Sequence, residues 1–276
     1  MVLYCLIIIY YLKAPVAQLD RAPDFGSGGS GFDSLQVRQN IMMTFILTLI
    51  PPILILMFFV LSDKFKEPLS TILLVFFLGF LLCLPAGILN EISHNFFFTG
   101  TDYSENLTSS FLGPAWAEEL LKFSILYFIV LKRHEFNEPM DGLVYGVVVS
   151  LGFATYENYT YVYEWAVRIA GEDNLDASVF SYLVAKSRSY SAIPMHGLNG
   201  AIMGYFFGYY VFKGGKKYLF LSLMLPYLFH GFYNYLGWPN MMIIIVILVI
   251  LSLILHSNLK KLQSVKKKEN EKKIIT

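Results

Sequence analysis

From Ile41 onward, long apolar runs alternate with short polar stretches. Seven runs stand out, at about 41–61, 69–90, 111–131, 141–163, 193–212, 217–237 and 239–256. Most approach the roughly 20 residues that a helix needs to cross about 30 Å of hydrocarbon. Lipid cannot satisfy free backbone groups, so helices are the expected spanning elements. The pattern predicts an all-α fold, a polytopic membrane bundle of about seven transmembrane helices.

The basic residues alternate with the runs. The first loop carries Lys64 and Lys66, the third Lys132 and Arg133, and the fifth Lys213, Lys216 and Lys217. The stretch after 256 holds seven lysines, from Lys260 to Lys273. The second and sixth loops hold none, and the fourth mixes Arg168, Lys186 and Arg188 with Glu164, Glu172, Asp173 and Asp176. The positive-inside rule then puts the N-terminus outside and the C-terminus in the cytoplasm. Composition agrees with a multi-pass membrane protein: 56% of residues are hydrophobic and only 15% charged, where soluble domains carry about a quarter. A net charge of +1 gives no electrostatic case for nucleic acid, and the lysine-rich end reads as an anchor near anionic lipid. Two cysteines, Cys5 and Cys83, are too few for a disulfide framework or a thiolate metal cluster.

The start of the chain follows different rules. Residues 15–39 read PVAQLDRAPDFGSGGSGFDSLQVRQ, with no amphipathic period. They resemble the conceptual translation of a bacterial tRNA gene: Gly31-Phe32-Asp33-Ser34 can be encoded through the TTCGA of a T-loop, and Val16 to Ala22 fits a D-arm. Val2–Leu12 is too short to span. The expected natural start is Met42 or Met43. Three parts follow: 1–41 as an extension outside the fold, 42–256 as the transmembrane domain, and 257–276 as a basic cytoplasmic tail.

Ionisable groups near a membrane interior cost a few kcal/mol on insertion scales and are functional candidates by default. Four runs carry them: Glu118 and Glu119 with Lys122; Glu157 with Asn158; His196 with Asn199; His230 with Asn234. Counted from the outer ends at 1.5 Å per residue, Glu119, Glu157 and His230 lie roughly 12 Å deep and His196 roughly 5 Å. Four separate segments thus put their ionisable groups in the outer half of the bilayer. Glu118 and Glu119 stand four and three residues from Lys122, so each can pair with it, and His230 and Asn234 share a face. Gly142, Gly146, Gly200, Gly204 and Gly208 have the small-xxx-small spacing that lets helices pack closely in lipid. Asp141 at a span start reads as a helix N-terminal residue. Arg188 reads first as a solvated loop charge, and alternatively as the partner of an outer carboxylate or a substrate terminus.

These same residues carry a family likeness. The chain resembles the PrsW family of intramembrane proteases, related to the Abi and CAAX-processing superfamily, from about Met43 to Trp238. The matching stretches are Pro51, Asp63 to Leu69, Ala117-Glu118-Glu119-Leu120-Leu121-Lys122, Met140 to Gly146, Gly152 to Asn158, Pro194-Met195-His196-Gly197 and His230 to Asn234. The resemblance implies a protease of the bacterial cell membrane that cuts a single-span anti-sigma factor on its extracytoplasmic side and so starts regulated intramembrane proteolysis.

Peptide hydrolysis needs an activated water, a donor for the developing oxyanion and a proton for the leaving amine. No serine sits in a Ser-His-Asp arrangement, and Cys83 has no acid or base beside it. The expected base is Glu118 or Glu119, with Glu119 preferred. Glu157 offers a second proton position, His196 or His230 serves the oxyanion or leaving group, and Lys122, Asn158, Asn199 and Asn234 support them. A metal-free mechanism is slightly favoured, yet Glu118, Glu119, His196 and His230 could equally hold Zn²⁺ with an open position for water. Two other classes compete. Intramembrane Glu and His also line the paths of proton- or ion-coupled transporters, although no internal repeat is visible. A catalytically silent scaffold could carry the same helices.

Overall fold

The computed structural model describes residues 29–97 and 107–275, with side chains described from Leu35 to Val265. Among these residues every regular element is helical. Apolar runs fold as continuous helices until a proline, glycine or polar turn stops them. We number them α1 (Gly29–Ser62), α2 (Leu69–Leu81), α3 (Cys83–Phe97), α4 (Leu107–Ser110), α5 (Trp116–Phe128), α6 (Pro139–Tyr159), α7 (Ala166–Glu172), α8 (Ala177–Tyr190), α9 (Ala192–Lys213), α10 (Lys216–Leu236) and α11 (Met241–Ile275). The starting part of the expected extension, residues 1–28, lies outside the described residues, whereas residues 29–41 form the first turns of α1.

All seven predicted runs are helical, and three stretches are long and apolar enough to cross a membrane by length and composition: Leu35–Ser62, Leu69–Phe97 and Met241–Val265. The other four carry the polar groups and form the interior. Several boundaries differ from expectation. The second run breaks after Leu81, where the amide of Leu82 is shared between the carbonyls of Leu78 and Gly79. The third run is not one helix from Phe111: a wide π turn covers Phe111–Ala115, and Gly113 leaves helical geometry at φ −81°, ψ −123° beside Pro114. The fourth loop is largely helical, as α7 and α8. The basic tail continues α11 to Ile275.

The centre of the bundle is α6 against α9. Their glycines make that closeness possible. A Cβ on Gly142 would stand 2.9 Å from the Cα of Gly208, and one on Gly146 would stand 2.8 Å from the Cα of Gly204. Both separations are too short for a real side chain, so the expected small-residue seam is realised as backbone on backbone. Helix α2 packs on the opposite side of α6 through Gly79 and Gly152, α10 and α11 cover α9, and α1 lies against α8 and α6. Asp141 does sit in the first turn of α6, where its Oδ2 accepts from the amides of Asn137 (2.7 Å) and Glu138 (2.8 Å).

Candidate active site

Four helix segments bring their polar side chains to one place. The Gly113-Pro114 break restarts the third run at Trp116, which puts Glu118 and Glu119 in the first turn of α5. Glu157 lies in the last turn of α6, just before a second π turn at Thr160–Trp165. Such irregular turns are frequent at functional sites. His196 sits near the start of α9, and His230 sits on α10 one turn after Pro226.

Lys122 is the hub. Its Nζ, fully buried, lies 2.8 Å from Glu119 Oε1, 3.7 Å from Glu118 Oε2 and 2.9 Å from His196 Nδ1, and 4.3 Å from the ring centre of Phe153. An ammonium has only donors, so His196 Nδ1 is the acceptor. His196 then carries its proton on Nε2, which lies 3.0 Å from Glu157 Oε2 and donates to it. On the other histidine, Nδ1 lies 2.9 Å from Glu119 Oε1. The proton on Nδ1 therefore points at the carboxylate. The two rings meet edge to face with centres 5.2 Å apart. Each histidine is thus oriented by its own carboxylate, the arrangement that fixes tautomer and direction in hydrolytic and metal sites. Two carboxylate oxygens, Glu118 Oε2 and Glu119 Oε2, are buried without a hydrogen-bond partner.

Arg188 takes the alternative of its two expected roles: it is not a solvated charge but the partner of an outer carboxylate. Helix α8 delivers it inward, where its guanidinium donates to Glu157 Oε2 (2.6 Å) and to Asn158 Oδ1 (2.9 Å) and stacks on Tyr161 at 4.2 Å. Asn158 in turn donates to the carbonyl of Thr48 on α1 (3.2 Å), so it supports the arginine. Asn199 does not reach the cluster by a hydrogen bond. Its amide donates to the Pro226 carbonyl (3.1 Å) and ties α9 to α10. Asn234 lies one turn beyond His230 and is half-buried. The difference in depth expected between His196 and the other groups is removed by helix packing. The cue for α8 was available in the sequence: Asp176 is an N-cap, accepting from Ser178 and Val179.

Comparison with known proteins bears on this geometry. The family described as "PrsW family intramembrane metalloprotease" matches residues 67–256. Protease PrsW of Geobacillus kaustophilus is 34% identical over 189 residues, which cover 67% of this chain and 76% of that protein. Protease PrsW of Clostridioides difficile is 33% identical over 227 residues, 79% and 90% of the two chains. Protease PrsW of Bacillus subtilis is 34% identical over 190 residues, 67% and 78%. No solved structure matches.

That family description includes a metal, and the residues fit one. A ligand atom from each of Glu118, His196 and His230 lies within 4.8 Å of the other two. The set offers two imidazoles and a carboxylate, a donor combination that suits catalytic zinc. A cation already occupies part of this environment, because the Lys122 ammonium rests on His196 Nδ1 between the two glutamates.

Proposed function

The chain belongs to the PrsW family, a membrane-embedded protease family, and on that premise we propose that it cuts a single-span membrane protein, an anti-sigma factor, near its extracytoplasmic side. The observation that carries this reading is the pair of carboxylate–histidine contacts, Glu119 to His230 and Glu157 to His196, converging beside Glu118. The lysine distribution supports a cytoplasmic C-terminus, and with it a position for the cluster in the outer half of the bilayer.

Glu118, His196 and His230 would hold the metal, with Lys122 moved off His196 Nδ1, whose lone pair the metal would need. Bound there, it would polarise the scissile carbonyl and make its water a nucleophile near neutral pH. Glu119 fits the general base. Lys122 and His230 hold its Oε1, which leaves Oε2 free to accept a proton from water. Lys122 supplies a buried positive charge for the developing oxyanion. Glu157 fixes the His196 tautomer, and Arg188 holds Glu157 in place. The same glutamate and histidine positions serve whether or not metal is bound, which is why the metal-free route and the zinc route invoke one residue set.

The test is co-expression of the chain with tagged single-span anti-sigma factors in a heterologous membrane. Wild type should shorten its substrate. Glu118→Gln with Glu119→Gln should abolish shortening while the protein still accumulates. Undiminished cleavage by the double variant removes both residues from the mechanism. Intact substrate in every lane, with proton uptake into liposomes, moves the reading to a transporter.

A further inference from the structure

A second polar cluster lies at the opposite end of α6. Asp63 in the α1–α2 connection, Glu67 just before α2 and Asp141 in the first turn of α6 each offer a carboxylate oxygen within 4.8 Å of the other two. Asp141 is sixteen residues from Glu157 on one helix, roughly 24 Å at 1.5 Å per residue. The two clusters are separate sites.

This cluster lacks what the outer one has. Asp63 is 2% exposed, Glu67 9% and Asp141 1%. None of the three pairs with a lysine, arginine or histidine among the described residues. The lysines beside them face elsewhere: Lys64 Nζ donates to Ser264 Oγ (2.5 Å), and Lys66 Nζ donates to the carbonyls of Leu61 and Asp63 (2.5 Å each). One oxygen of each aspartate is used locally. Asp63 Oδ1 accepts from the Phe65 amide (3.0 Å) and from Gln263 Nε2 (2.6 Å), and Asp141 Oδ2 caps α6. The Tyr145 hydroxyl donates to Glu67 Oε2. One oxygen is left over: Asp63 Oδ2 is buried with no partner, while Asp141 faces Glu67 in carboxyl–carboxyl contact. Buried charge without a partner is among the costliest arrangements a protein can carry. A cleft of about 350 Å³, walled by Phe65, Lys66, Glu67, His134 and Glu135, opens at Glu67, and a smaller one of about 140 Å³, walled by Glu138 and Gln263, opens beside the glutamine that holds Asp63.

We propose that Asp63, Glu67 and Asp141 bind a hard divalent cation, of the Mg²⁺, Ca²⁺ or Mn²⁺ type, at the end of the bundle away from the proteolytic cluster. The donors are all oxygens, the set such ions select, in contrast to the imidazole-rich outer set. The clefts give room for the waters that complete its coordination. The cation binds the α1–α2 connection to the foot of α6, and through Gln263, which also donates to Glu138, to α11. Its role is to stabilise that junction, and it takes no part in the chemistry of the outer cluster.

The probe is Mn²⁺ added to the full chain in detergent, read by its paramagnetic resonance and by melting temperature. The protein carries Glu118→Gln and His230→Ala, so that outer metal does not count; zinc-saturated wild type serves if that protein does not fold. The expected result is about one Mn²⁺ bound per chain and a melting temperature raised by several degrees at saturation. Adding Asp63→Asn and Asp141→Asn should cut bound Mn²⁺ to roughly a tenth or less and abolish the thermal shift. Mg²⁺ and Ca²⁺ should compete for the same site. Folded protein that binds no Mn²⁺ overturns the proposal, as does equal binding after the two Asn substitutions. So does a chain made more stable by them in cation-free buffer and indifferent to added cation, which marks carboxyls that share protons. Because the outer residues are already replaced or filled, neither outcome depends on proteolysis.

Discussion

The two ends of α6 meet the same problem in opposite ways. Both gather three carboxylates at a helix terminus inside an apolar bundle. At the outer end, Glu118, Glu119 and Glu157 are answered by Lys122 and Arg188, with two histidines between them. At the inner end, Asp63, Glu67 and Asp141 are answered among the described residues by amides, Tyr145, Gln263 and one another, with no cationic side chain. An outer site that supplies its own cations is held in shape before anything binds. An inner site that supplies none is completed by what it binds. The contrast assigns preorganisation for chemistry to one end and cation-dependent fastening to the other.

The sharpest way to break the contrast is to remove the outer cation. Lys122→Met leaves Glu118 buried without its cation and Glu119 with His230 alone, and loss of one partner from a buried pair typically costs about 3–5 kcal/mol, a magnitude of roughly that order being expected here. The protein should accumulate poorly and lose cleavage. Lys122→Met that accumulates normally in membranes would mean the glutamates are neutral in the fold. The double glutamine variant supplies the converse: with the charge removed as well, Lys122→Met should regain part of its abundance while staying inactive.

Next in size is the α6–α9 seam, which holds Glu157 and His196 in register. Gly204→Ala places a methyl against the Gly142 backbone, where no side chain can yield. Overpacking of this kind costs about 1–3 kcal/mol. Thermal unfolding in detergent should shift downward, while Gly87→Ala, with open space around it, should not. Equal shifts at both positions would take the seam out of the account.

Much of this was legible in the sequence, for a physical reason. Charges are so costly in apolar runs that Glu118, Glu119, Glu157, His196 and His230 announce themselves, and small-residue spacing marks the seam. What was not legible depends on tertiary placement. Arg188 lay in a stretch with enough acidic neighbours to pass for a solvated loop, and only the α8 helix shows it turned inward. The inner carboxylates were hidden by ordinary local explanations: Asp141 does cap a helix, and Asp63 and Glu67 do lie in a connection. Nothing in their spacing says that the connection folds onto the foot of α6. The Gly113-Pro114 pair was a visible breaker, but the apolar run around it outweighed it.

A smaller effect tests Arg188 as a positioning residue. Lysine keeps the charge and loses the planar fork that reaches Glu157 and Asn158 together. Arg188→Lys should lower the cleavage rate about tenfold with protein abundance unchanged. Arg188→Met should lower it further and alter the pH profile of cleavage, since Glu157 would lose its nearest fixed positive charge. A variant with normal rate and profile would return Arg188 to a merely structural role.

The smallest effect concerns the beginning of α1. Of residues 35–43, only Asn40 is buried and Met43 half-buried; the others stand exposed on the helix. The first contact from α1 to the site's supporting shell is the Thr48 carbonyl, which accepts from Asn158. A chain started at Met43 keeps twenty residues of α1, to Ser62, enough for a crossing of about 30 Å. It should insert, accumulate and cleave as the longer chain does, with a stability loss of about 1 kcal/mol from removal of the buried Asn40 carbonyl that accepts from Thr44 Oγ1. A Met43 start that fails to cleave would show that residues 29–42 belong to the working fold, and the resemblance of residues 15–39 to a translated tRNA gene would then be coincidence.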